Sequence, residues 1–122
     1  DMDWKVYPSG IFGALLLLQR YEKPVYVSEA GLADADDDLR PDYLKVQVAA
    51  VARAIEAGVD VRGHMYWSLM DNYEWALGTT KRFGLVEIDY DTLMRKPRPS
   101  AYSYKRLIEL SRDVDIDERN DA

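Results

Sequence analysis

Apolar residues crowd the stretch from Ile11 to Leu18, and within it Ile11, Leu15 and Leu18 recur at i, i+4 and i+7, the spacing of one helical face. Ser9 lies just upstream, where a hydroxyl can accept from the first unsatisfied N–H groups, so the pattern predicts a Ser9-capped helix ended by Lys23-Pro24. Val25-Tyr26-Val27-Ser28-Glu29 is short, rich in β-branched and aromatic residues and stopped by Ala30-Gly31, which predicts a buried strand. From Pro41 to Ala57, Leu44, Val48, Val51, Ala52 and Ile55 recur at i, i+4, i+7, i+8 and i+11, with proline in the first turn and Gly58 just past the end. That is the clearest amphipathic helix. A second strand-like run, Val59 to Leu69, leads into an acidic and aromatic loop, Asp71-Asn72-Tyr73-Glu74-Trp75, on which Leu85 to Tyr90 forms an extended segment. Pro99-Ser100 opens a last helix in which Ala101, Tyr104, Leu107 and Ile108 share a face. Residues 112–122, with four Asp and one Glu, are expected to be a solvated tail.

The order helix, strand, helix, strand, loop, helix separates the strands by segments long enough for parallel crossovers, which defines an α/β class. In such folds chemistry collects where the strands end and the following loops begin. Both strands here end in unusual residues, the first in Ser28-Glu29 and the second in Trp67-Ser68 followed by the acidic loop.

Composition narrows the chemistry. A chain of 122 residues, 48% hydrophobic and 31% charged, has the make-up of one globular segment at most. Its longest apolar run is too short for a membrane span. A net charge of −6 with the acids spread along the chain leaves no footprint for nucleic acid or anionic lipid, so neither is expected as a partner. With no cysteine there is no thiolate nucleophile, and with His64 alone there is no two-histidine metal site. No metal or other cofactor is expected, His64 reads as structural, and cytoplasm is the default location. Asp34 to Asp38 resembles the start of a calcium loop, but Leu39 stands where that loop requires glycine, so a solvated acidic loop is preferred. Ser28 lacks the G-x-S-x-G elbow of a serine hydrolase.

Three segments carry a family resemblance. Tyr26-Val27-Ser28-Glu29-Ala30-Gly31 is similar to the Y-V-T-E-N-G nucleophile strand of family 1 glycoside hydrolases, the β-glucosidase and β-galactosidase group. Trp67-Ser68-Leu69-Met70-Asp71-Asn72-Tyr73-Glu74-Trp75 resembles that family's W-S-L-x-D-N-x-E-W loop, and residues 82–92 resemble its R-F-G-L-x-x-V-D-Y-x-T segment. The match extends over roughly residues 1–111 and looks most like the archaeal-type branch.

The resemblance implies Glu29 as the catalytic nucleophile, Trp67 as a platform beneath the sugar ring, Glu74 and Trp75 as hydrogen-bonding partners of its hydroxyls, and Phe83 as a further substrate-site residue. The residue types suit those roles. A retaining glycosidase needs an ionised carboxylate about 5 to 5.5 Å from a protonated one. An indole offers a face to the sugar's C–H groups and an N–H to a hydroxyl, and a carboxylate can accept from two neighbouring hydroxyls. Asp71, Asn72 and Tyr73 are expected to shape the loop. Ala30 stands where the family usually has asparagine, which changes the hydrogen bonding beside Glu29.

The family's acid/base glutamate lies in an Asn-Glu-Pro motif on an earlier strand, and these residues contain no such motif. A (β/α)8 barrel takes eight strands and about 250 residues, against two good barrel strands here. Residues 1–111 are therefore expected to be the C-terminal portion of a TIM barrel, its last two strands and their helices, followed by the 112–122 tail. The expected partner is a second polypeptide supplying the N-terminal strands and the acid/base glutamate, without which the chain would be inactive. The substrate expected is a β-D-glucoside or galactoside, hydrolysed through a covalent glycosyl-enzyme intermediate. The alternative is a non-catalytic sugar-binding or structural subunit or fragment of such a barrel.

Overall fold

Proline at the first helical turn gives up an N–H that would be unsatisfied anyway, and Pro8 opens helix α1 (Pro8–Leu18) in that way. The computed structural model describes residues 2–120, with side chains described as far as Arg112. Tyr7, not Ser9, occupies the N-cap position of α1, and no side chain caps it. Ser9 lies inside the helix because Pro8 has already started it. Leu15 is buried with Ile11, Phe12 and Leu16 packed around the same core. Leu18 is 40% exposed, so the inward face is 11-12-15-16 rather than 11-15-18. The reason is local: α1 ends at Leu18, a 3-10 turn follows over Gln19–Tyr21, and Glu22 turns left-handed before Pro24 is reached.

Strand β1 (Val25–Ala30) lies parallel to β2 (Val61–Tyr66), pairing Val25 with Val61, Tyr26 with Gly63, Val27 with His64 and Ala30 with Tyr66. Helix α2 (Arg40–Glu56) makes the connection that a parallel pair requires. Leu15, Val51, Ala54 and Val59 form the core, against which Val25, Val27 and Val61 of the sheet pack. The buried face of α2 is Leu44, Gln47, Ala50, Val51 and Ala54. Ala52 and Ile55, expected inside, face out, because the stripe turns about a polar residue, Gln47, that apolar periodicity does not count.

The loop after β1 departs from expectation. Asp34 and Asp37 are buried rather than solvated. Asp34 Oδ2 accepts the N–H groups of Leu39 and Arg40, both at 2.9 Å, and so satisfies donors at the head of α2. Asp37 pairs with Arg40 and accepts the N–H of Ser100 at 2.8 Å. These carboxylates tie two helix N-termini together, a use that favours acids at the positive ends of helices.

The segment beyond the aromatic loop forms strand β3 (Val86–Ile88), antiparallel to a strand the sequence does not announce, β4 (Arg95–Pro97). All three residues of β4 are exposed, so they lack the alternation that marks a half-buried strand. Helix α3 then runs from Pro99 to Asn120, past the expected boundary at 111. The solvated tail expected at 112–122 falls, beyond Arg112, on side chains outside the described residues. Among the described residues the parallel sheet has two strands, and no helix is long and apolar enough to cross a membrane.

Candidate active site

The carboxyl ends of β1 and β2 are brought together by backbone contact. Trp67 N–H donates to the Ala30 carbonyl at 3.0 Å, continuing the ladder one residue beyond β2. Gly31 sits so close that a Cβ there would lie 1.9 Å from the Trp67 carbonyl oxygen, and only glycine accommodates that approach. Glu29, exposed and next to last in β1, is thereby placed on the same sheet end as Trp67, whose indole is also exposed. The Trp67–Ser68 peptide is cis.

Tyr66 and Arg40 fasten this end from below. The Tyr66 hydroxyl lies 3.2 Å from the Leu32 carbonyl and 3.1 Å from that of Phe83, sharing its proton between the two chain segments that follow β1 and the aromatic loop. Arg40, fully buried, donates to the carbonyls of Leu32 (3.4 Å), Asp34 and Arg82 (2.7 Å). A buried arginine costs solvation unless its donors are matched, and here the carbonyls and Asp37 match them.

The aromatic loop leaves at Asp71 and returns at Gly84, and these two residues are bonded to each other. Asp71 Oδ1 accepts Gly84 N–H at 2.9 Å and Asp71 Oδ2 accepts Ile88 N–H at 3.3 Å. Arg98 reaches the same carboxylate through Nη1 and Nη2, each at 3.1 Å, and Arg82 Nη1 adds a contact at 3.2 Å. Burial alone would raise the Asp71 carboxyl, but the hydrogen bonds from Arg98 and Gly84, the Arg98 charge and the Ile88 N–H outweigh it and hold the group below the usual carboxylate range. Removing one partner of such a buried pair typically costs about 3 to 5 kcal/mol.

Glu74 and Trp75 stand at the crest of this loop. Glu74 N–H donates to the Gly78 carbonyl at 2.7 Å and its own carbonyl accepts from Leu77 at 2.8 Å, which folds the crest into a tight turn. Trp75 takes a left-handed backbone (φ 43°) and is 82% exposed, while Glu74 is half-buried. Phe83 does not share this open surface: it is 3% exposed, and its ring lies 6.0 Å from that of Trp4. Asn72 donates to Ser68 Oγ at 2.9 Å and to the Met70 carbonyl at 3.1 Å, which fits the loop-shaping part expected of it.

Sequence reasoning singled out the exposed Glu29, Trp67 and Trp75, the half-buried Glu74 and the buried Phe83 and Asp71, and missed Arg40, Tyr66 and Arg98. Arg40 and Tyr66 carried no motif of their own, and Arg98 opens an Arg98-Pro99-Ser100-Ala101 run that resembles the family without assigning the arginine a role. Their only signal was their polarity within segments that had to be buried.

Parallel strands joined by a helix, with acidic and indole side chains at their carboxyl ends, define an α/β fold whose site resembles that of a carbohydrate-active enzyme. The chain belongs to glycosyl hydrolase family 1, whose model matches residues 1–112. It is 46% identical over 108 residues to a β-galactosidase of Sulfolobus acidocaldarius, covering 88% of this chain and 22% of that protein. It is 44% identical over 119 residues to β-glucosidase A of Acetivibrio thermocellus, covering 88% of this chain and 27% of that protein. Among solved structures, the β-glycosidase from Pyrococcus horikoshii superposes with a TM-score of 0.84 at 51% identity, over 87% of this chain and 25% of the other. The β-glucosidase from Thermotoga maritima in complex with glucoimidazole superposes with a TM-score of 0.82 at 37% identity, over 88% and 27%. The chain thus spans about a quarter of the length of these relatives.

Proposed function

We propose that these residues are the nucleophile-bearing C-terminal portion of a retaining β-glycosidase, contributing its last two barrel strands, β1 and β2, with their helices. The observation that carries this reading is the position of Glu29 at the carboxyl end of β1, locked by Gly31 beside Trp67, the residue that follows the neighbouring parallel strand. Strand ends are rigid, and a nucleophile has to be held in line with the carbon it attacks. A carboxylate oxygen of Glu29 bonds to the anomeric carbon of a β-glucoside or β-galactoside as the bond to the leaving oxygen breaks. The proton for that oxygen comes from a second carboxyl group, which then removes a proton from the water that releases the sugar. That acid/base belongs to polypeptide outside residues 1–122, in our reading a second chain that also supplies the other strands.

Trp67 offers its indole face to the ring, Glu74 accepts from sugar hydroxyls, and Trp75 adds its N–H. Treatment of the assembled enzyme with a 2-deoxy-2-fluoro glycoside, followed by peptide mass spectrometry, tests the reading. The label is expected on the peptide that contains Glu29, and a label on any other peptide overturns the assignment.

A further inference from the structure

We propose that Asp71, gripped by Arg98, is a positioning residue for sugar recognition: it sets the orientation of the loop crest that carries Glu74 and Trp75. The inference rests on the reading of Glu74 as a sugar-binding residue. Its own basis is the geometry at the loop base. The Asp71 side chain has no exposed surface and that of Arg98 is 6% exposed, so neither can meet a sugar directly. Asp71, where the loop leaves, nevertheless gathers donors from its returning end, Gly84 and Arg82, and from Ile88 beyond it. Arg98 locks the arrangement from the start of α3: its Nη1 donates to the Gly84 carbonyl at 2.8 Å and its N–H to the Leu85 carbonyl at 2.9 Å. Gly84 cannot carry a side chain, because a Cβ there would lie 2.2 Å from the Asp71 nitrogen.

Above this base, among the described residues, the backbone bonds of Glu74 are local to its own turn, linking it to Leu77 and Gly78. The direction in which the crest points relative to Trp67 is therefore inherited from the base. Glu29 is held separately, on β1 by pairing with β2. Loosening Asp71 should accordingly disturb the reading of hydroxyls more than the attack by Glu29. The Arg82 guanidinium, stacked 4.9 Å from the Tyr90 ring centroid, closes the outer side of the same carboxylate.

The test compares kcat, KM and the ratio of kcat/KM for aryl β-glucoside over aryl β-galactoside in the complete enzyme, for Asp71→Asn, Arg98→Lys, Glu74→Gln and the double variant Asp71→Asn/Glu74→Gln. That ratio and KM do not depend on the fraction of molecules folded, so a loss of stability alone leaves them unmoved. Asp71→Asn puts an NH2 group where donors already point, and Arg98→Lys keeps the charge but loses the two-pronged contact. Both should raise KM by about 10-fold, shift the ratio in the same sense as Glu74→Gln, and act non-additively with it. A lowered Tm with unchanged KM and ratio overturns the proposal while leaving Glu74 as a sugar reader. An unchanged ratio in Glu74→Gln itself overturns both. Where Asp71→Asn does not fold, Arg98→Lys and the double variant Arg98→Lys/Glu74→Gln decide the matter alone.

Discussion

Gly31 and Trp67 meet backbone to backbone, with room for a hydrogen atom and nothing larger between the Cα of one and the carbonyl of the other. A methyl group at position 31 therefore has to push the ends of β1 and β2 apart, and those ends carry Glu29 and the Trp67 indole.

Gly31→Ala is expected to destabilise the enzyme by about 3 kcal/mol, at the upper end for a side chain forced into filled space. It should also lower kcat by roughly 100-fold, the cost of misplacing reacting groups by about an ångström. Denaturant melts and steady-state kinetics on the same preparation check both. Near-normal kcat in a destabilised variant would show that the strand ends adjust independently.

Glu29→Ala is expected to lower kcat on the order of 10⁴-fold, the scale seen when a covalent catalytic group is deleted. Azide should restore part of the turnover, because a small anion can enter the vacated space and attack the anomeric carbon, giving a glycosyl azide of inverted configuration. Retained activity without azide would move the nucleophile elsewhere.

The segments legible in the sequence were those whose burial is apolar. β1 was readable because Pro24 and Gly31 bracket an apolar run, and α2 because Pro41 and Gly58 bracket a periodic one. What escaped was burial achieved through hydrogen bonds. Arg40 and Asp34 look like surface residues until the carbonyls and N–H groups that meet them are known, and those come from residues as distant as Arg82. Arg98 likewise meets Asp71 across 27 positions, and no local pattern records such a pairing. The motifs marked the exposed side of the site together with the buried Asp71 and Phe83, whereas the pairings made by Arg40, Tyr66 and Arg98 belong to tertiary structure.

His64 supplies a pH test. Its imidazole is half-buried on β2, Nδ1 lies 3.2 Å from the Tyr104 hydroxyl, and Nε2 is buried without a hydrogen-bond partner among the described residues. Burial holds its pKa below the ordinary 6.5. The unfolded chain therefore takes up a proton near pH 6.5 while the folded one does not. This contribution to stability is complete above 6.5 and is lost as pH falls from there through the folded value, with a slope of up to about 1.4 kcal/mol per pH unit. Urea melts between pH 8 and pH 5 should show that slope, and His64→Gln should flatten it. An equal slope in the variant would assign the proton uptake to another group.

The 122-residue chain by itself is expected to be inactive and to associate. Tyr26 on β1, Met65 on β2, Leu17 on α1 and Ile55 on α2 all stand exposed, and among the described residues each strand of the parallel pair has one edge without a partner. Light scattering and an aryl β-glucoside assay, with and without the polypeptide that supplies the other strands, measure both properties. Addition of that polypeptide should yield a discrete complex and turnover. A monomer that cleaves the glucoside unaided would falsify the need for a second carboxyl group from outside.

The arginine at each of the two buried clamps, Arg40 with its carbonyls and Arg98 with Asp71, also bears on heat. Hydration of charged groups weakens as temperature rises, so stripping water from a guanidinium and a carboxylate becomes less costly in hot solution. Such a clamp loses less of its grip on warming than its energy at room temperature suggests. Thermal loosening should therefore begin at the outer apolar surfaces and reach the loop base last, leaving the loop crest in register close to the temperature at which the fold itself gives way.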